Sequence, residues 1–148
     1  ETHPKFIKPI LNDMLTIYAE IMEAEALEIN LRITAMHGVY LLVNSHPTAV
    51  KKTQIFKTKY VEIYMKMLSE MDDTPVEEWA NEFKDEVISK NDISLSTEEH
   101  LSQILEVLGN KFLLPLFINH IQTYLKSDQP NLQHAGLICM SILTENCH

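Results

Sequence analysis

Apolar residues recur along this chain with a period near 3.6, which predicts helices, and no stretch sustains the period of two expected of strands. Ile7, Ile10, Met14, Tyr18 and Ile21 form one stripe, widened by Leu11, Leu15 and Met22, so a first helix is expected over about residues 6–23. A second, over about 26–45, carries Leu27, Leu31, Ala35, Gly38 and Leu42 on one face and Ile29, Ile33, Met36, Tyr40 and Val43 on the other. An apolar surface on two sides implies a packed neighbour on each. Pro47 closes this helix, because the residue before proline is pushed out of helical geometry. A third helix, over about 49–70, is marked by Phe56, Tyr60, Ile63, Met67 and Met71.

The periodicity then stops. Residues 70–86 read EMDDTPVEEWANEFKDE, with Pro75 as a breaker and at most one turn of helix around Trp79, and a polar loop, SKNDISLS, is expected to follow. Ser96 heads the pattern STEE, in which Ser96 and Glu99 can satisfy each other's free backbone N–H groups, so a fourth helix is expected from about 97 to 109. It carries Leu101, Ile104, Leu105 and Leu108, and Gly109-Asn110 suits its end. A fifth, about 112–126, shows Leu114, Phe117, Ile118, Ile121 and Leu125; a sixth, about 131–146, shows Leu132, Ala135, Ile138, Cys139 and Ile142. The expected class is all-α.

A repeat lies inside this pattern. Lys5-Phe6-Ile7-Lys8-Pro9-Ile10 matches Lys111-Phe112-Leu113-Leu114-Pro115-Leu116, each at the start of a helix, where a proline costs least. Asn30-Leu31 and Asn131-Leu132 then recur in the helix that follows each copy. Six helices pair as three antiparallel hairpins, the acidic stretch separating the two helices of the middle one. Once that stretch is set aside, the spacing approaches the roughly 40–47 residues of a HEAT repeat. The expected architecture is an α-solenoid with repeats at about 4–46, 48–109 (including an acidic loop at 70–95) and 111–148.

Charge changes the picture in one place. The net charge is −9, and the eight acids and one lysine of residues 70–86 supply −7 of it, leaving the remainder nearly neutral. With no basic stripe, a direct nucleic-acid surface is excluded. No apolar run approaches membrane-spanning length, and no signal peptide is visible. Cys139 and Cys147 lie eight residues apart on one expected helix, about 12 Å along its axis, too far for a disulfide, so they read as reduced intracellular thiols. The chain opens on Glu1 and stops directly after an apolar helix, which suggests a piece of something longer.

Candidate chemistry is sparse. The seven histidines show no i,i+4 pairing with one another or with a cysteine, so no metal site is expected. The three glycines are isolated, which excludes a phosphate-cradling loop, and no nucleophile pattern stands out, so an enzyme is not expected. The acidic stretch is the one candidate site: Asp72, Asp73, Glu77, Glu78, Glu82, Asp85 and Glu86, with Trp79 and Phe83 as anchors to the body or supports for a partner's lysine stems. Such a segment acts through number and on-rate, because exposed single pairs give only about 0–1 kcal/mol each. Its bland alternative is a solvated connection.

The last third of the chain carries a family resemblance. His134-Ala135-Gly136-Leu137, running on to Glu145-Asn146-Cys147-His148, follows a helix opened by Leu114-Pro115-Leu116-Phe117. That order, after an acidic loop with a tryptophan, resembles the importin-β (karyopherin-β) family, nearest the beta-3 importins. Where the family usually has a basic residue just before H-A-G-L, this chain has Gln133, and its acidic stretch is broken by Thr74, Val76 and Asn81. The resemblance is specific over about 70–148, and residues 1–69 fit any HEAT repeat. It implies a non-catalytic nuclear transport receptor without cofactor, shuttling between cytoplasm and nucleus. Such a receptor binds basic protein cargo on the inner face of a superhelix, Phe-Gly nucleoporins on its outer face, and Ran in its GTP form, which releases cargo. The acidic loop is then expected to meet Ran or basic cargo. The rival expectation is a structural or regulatory HEAT scaffold, such as a phosphatase or assembly subunit.

Overall fold

The computed structural model describes residues 4–70 and 90–145, which form eight helices with no strand among the described residues. They are α1 (Pro4–Glu23), α2 (Ile29–Ser45), α3 (Pro47–Lys52), α4 (Gln54–Lys57), α5 (Lys59–Leu68), α6 (Lys90–Leu108), α7 (Asn110–Leu125) and α8 (Pro130–Glu145). α1 packs on α2, α5 on α6 and α7 on α8; α2, α6 and α8 then lie side by side in one layer, and α1, α5 and α7 in the other. This is the α-solenoid that the sequence pattern predicts. α2 lies between α1 and α6, which buries Ala35, Met36, Val39 and Val43, but the expected face is shorter than its pattern: Leu27 precedes the helix and Leu31 is exposed.

The first stripe is centred one position away from its expected line. Leu11, Leu15, Ala19 and Met22 are buried, Met14, Tyr18 and Ile21 lie at the edge, and Ile10 is 59% exposed. The expected third helix is three short ones. Thr53 is extended and its hydroxyl donates to the Val50 carbonyl at 2.7 Å, while the Thr58 hydroxyl donates to that of Gln54 at 2.9 Å. Threonine hydroxyls that bond back to the preceding turn compete with the helical backbone, and the helix bends where they do so.

The expected polar loop SKNDISLS is helical from Lys90 onward, so Ser96 lies inside α6 and caps nothing. Tertiary packing overrides the local preference. Ile93 is fully buried, worth about 1.5–3 kcal/mol, and the Ser94 hydroxyl donates to the Leu68 carbonyl at 2.9 Å. Pro9 and Pro115 each stand sixth in their helices, past the first turn, so each removes one helical N–H donor instead of falling among the free ones. Gly109, at φ 86°, makes the turn between α6 and α7, a backbone that L side chains rarely adopt, and its N–H closes on the Leu105 carbonyl at 2.8 Å.

An aromatic column joins the hairpins. Phe56 stacks on Tyr60 at 5.4 Å between centroids, Tyr60 meets Tyr64 edge-on at 5.8 Å, and Tyr64 stacks on Phe117 of α7 at 6.5 Å. Pairs of this geometry add about 0.5–1.5 kcal/mol each beyond burial. Both tyrosine hydroxyls are satisfied. Tyr60 donates to the Leu15 carbonyl at 2.5 Å, and Tyr64 shares a 2.7 Å hydrogen bond with His100 Nε2.

Candidate binding face

All eight residues of the expected site, Asp72, Asp73, Glu77, Glu78, Trp79, Glu82, Asp85 and Glu86, lie outside the described residues. The structure does describe the roots from which their segment departs and returns. Glu70, the first acid of the stretch, is only 8% exposed and is held by Arg32, itself 4% exposed, through two parallel bonds: Nη1 to Oε1 at 2.9 Å and Nη2 to Oε2 at 2.6 Å. Arg32 Nε adds a third bond, to the Met22 carbonyl at 2.8 Å. On the return side, Ser94 of α6 is tied to Leu68. Glu70 is therefore a buried, neutralised anchor and adds no free charge to the segment. Arg32 is the only arginine in the chain, set among the apolar residues of α2, and that isolation was the available signal.

The layer of second helices has a charge character of its own. Of twelve lysines and arginines in the chain, only Arg32 and Lys90 belong to α2, α6 or α8; the other described lysines fall on the remaining helices and the connections. A groove of about 280 Å³ runs between α6 and α8, lined by Glu98, Glu99, Ser102, Ile138, Ser141, Ile142 and Glu145, three carboxylates with no basic side chain among them. A second groove of about 160 Å³, between α2 and α6, is lined by Ile33, Met36, His37, Ser96, Glu99, His100 and Gln103. Glu99 is the ridge between the two. Charge counting along the chain left everything outside residues 70–86 nearly neutral and so missed this face, which exists only once α6 and α8 lie side by side.

The buried groups of the site are not reactive. Burial pushes the His100 imidazole down to about 3, with His37 adding to the shift, so the ring is neutral at ordinary pH beside Tyr64. Burial likewise raises the Cys139 thiol to about 12, leaving it protonated and inert. No group of three or more metal-binding side chains is gathered among the described residues. The surface presents carboxylates, shallow grooves and exposed leucines such as Leu95 and Leu137.

These features define a segment of HEAT-type α-solenoid with an acidic layer of second helices. Solved structures of the karyopherin Kap121p share its fold. The structure bound to the extreme C-terminus of the protein phosphatase Cdc14p matches 97% of this chain with a TM-score of 0.79 at 18% identity. Those bound to Nup53p and to RanGTP match it with TM-scores of 0.79 and 0.78, each at 20% identity. The chain corresponds to 14% of the length of each. No protein-family profile matches the sequence. The expectation of a karyopherin-type solenoid thus holds at the level of the fold.

Proposed function

We propose that this chain is a segment of a nuclear transport receptor of the importin-β type, near the beta-3 importins, and that its layer of second helices holds a basic partner. The observation that carries the reading is the karyopherin fold over 97% of the chain, combined with carboxylates on one layer of it. Kap121p has been crystallised with RanGTP, with Nup53p and with Pho4p, which supports Ran, nucleoporins and protein cargo as the kinds of partner to test. The protein acts by binding, without a cofactor, and shuttles between cytoplasm and nucleus. Asp72, Asp73, Glu77, Glu78, Trp79, Glu82, Asp85 and Glu86 form the acidic loop that meets Ran in its GTP form or basic cargo, and Phe-Gly nucleoporins bind the layer of first helices.

The test compares capture of GTP-loaded and GDP-loaded Ran by the full chain and by a variant with Asp72→Asn, Asp73→Asn, Glu77→Gln and Glu78→Gln. Four exposed pairs at about 0–1 kcal/mol each predict roughly tenfold weaker capture of the GTP form, most visible at low salt. No preference of the wild type for the GTP form would sink the transport reading. A preference left intact by the variant removes only the loop's role.

A further inference from the structure

We infer that the edge where one hairpin passes to the next is an anion-binding surface. It is built from Lys51, Lys52, Lys57 and Lys111 and takes an Asp/Glu-rich segment of a protein partner. The inference is independent of the transport reading and concerns the opposite charge from the second-helix face.

Two stretches of the chain hold no acid. Between Glu28 and Glu62 lie Arg32, Lys51, Lys52, Lys57 and Lys59; between Glu106 and Asp128 lie Lys111 and Lys126. The fold brings these stretches together. α3 and α4 connect the first hairpin to the second, and Gly109 connects the second to the third. Phe56 of α4 stacks on Phe112 of α7 at 6.4 Å between centroids, and Lys51 Nζ lies over the Phe112 ring, 5.5 Å from its centroid. Lys52 follows Lys51, Lys57 follows Phe56 and Lys111 precedes Phe112, so the four lysines stem from the backbone around one contact.

Lys52 and Lys111 are exposed, and Lys51 and Lys57 are half-buried. None of the four forms an ion pair among the described residues, where the pairs are Arg32–Glu70 and Lys59–Glu23. Glu62 and Glu106, the acids that bound the two stretches, are joined to none of them. The turn within the first hairpin, in contrast, holds Glu23, Glu25 and Glu28. Like charges gathered without counter-charges repel one another, and an anionic partner relieves that repulsion while adding pairs of its own.

The surroundings favour carboxylates on a protein over a nucleic acid. All four cations are lysines, point charges on flexible stems that meet carboxylates singly, and none is an arginine, whose fork grips phosphate with two bonds. Phe112 is stacked on Phe56 and covered by Lys51, so the aromatic at the centre of the patch is engaged within the fold and gives bases no free platform. The net charge of −9 repels a long polyanion, whereas a short acidic segment feels chiefly the local field, which decays within about 8 Å at physiological salt.

The test titrates the full chain into a short, dye-labelled peptide of alternating Asp and Glu, followed by fluorescence anisotropy at low and at physiological salt. Lys52→Glu with Lys111→Glu is compared with Lys66→Glu with Lys126→Glu, which changes the net charge equally at exposed lysines outside the patch. Two lost surface pairs and two new repulsions predict binding roughly tenfold weaker in the first variant, against less than about twofold in the second, with the difference shrinking as salt rises. No binding by the wild type at low salt, or equal losses in the two variants, overturns the inference. An oligonucleotide of the same charge that binds more tightly than the peptide overturns the assignment to a protein partner. Melting curves establish that the variants fold. If the first does not, Lys52→Gln with Lys111→Gln takes its place, with a loss of roughly threefold expected and equal affinity to the wild type overturning the inference.

Discussion

The first and last hairpins close their turns with the same position and different chemistry. The fourth residue of α2 is Arg32 and the fourth of α8 is Gln133, and each reaches back across the turn to a carbonyl near the end of the preceding helix, Met22 at 2.8 Å and Ser127 at 2.5 Å. Gln133 does this while exposed and stops there. Arg32 does it while buried and goes on to bind Glu70. A neutral amide is enough to close a hairpin. The charge is spent where a third element must be held, and that element is the root of the acidic segment.

The largest expected effect breaks the charged side of this comparison alone. Arg32→Ala strands the buried Glu70 carboxylate and should cost about 3–5 kcal/mol in urea unfolding, whereas Glu70 removed together with Arg32 should cost far less. A loss below about 1 kcal/mol would mean that water reaches the pair.

Acid should act next, and on the middle hairpin. His100 binds a proton only near pH 3 when folded but near 6.5 when unfolded, so below 6.5 the unfolded chain holds the extra proton. The stability tied to neutral His100 is complete above pH 6.5 and is lost as pH falls toward 3, at about 1.4 kcal/mol per pH unit. Between pH 6.5 and 5 that amounts to about 2 kcal/mol. Unfolding curves of wild type and His100→Gln should diverge in slope over that window; parallel slopes would show that His100 does not titrate this way.

The helix crossings give a smaller contrast. A Cβ on Gly38 would stand 2.7 Å from the Tyr18 ring, forcing it to swing, while one on Gly136 would stand 3.2 Å from Leu125. Gly38→Ala should cost about 1–2 kcal/mol, and Gly136→Ala should be near neutral because the gain in helix propensity offsets the tighter contact. Equal melting temperatures for the two variants would contradict the packing.

A small loss is also expected of Gln133→Ala. Its bond to Ser127 is exposed, so the loss should stay under about 1 kcal/mol, against several for the corresponding change at Arg32. If the two losses were alike, the comparison between hairpins would collapse.

Much of the fold was legible because helices announce themselves locally. The period of apolar residues, the Asn-Leu pairs at the same place in α2 and α8, and the glycine after α6 depend only on near neighbours in sequence. Errors arose where distant contacts, or side-chain bonds to the backbone, decided. Ile93 and Ser94 look like loop until Leu68 and the core are beside them, and the long third helix looks continuous until Thr53 and Thr58 bond backward. The candidate site divides the same way. A run of acids is visible in any reading of residues 70–86, but that Glu70 is an anchor depends on an arginine 38 residues away.

By itself, then, the amino-acid sequence determined the class, the number of hairpins and the place of the acidic stretch, since periodicity and composition are properties of short segments. Only the tertiary structure decided which carboxylates are free and which are neutralised. Burial and pairing depend on which helices lie side by side, and neither Glu98, Glu99 and Glu145 gathered in one groove nor Glu70 clasped by Arg32 can be counted along the chain.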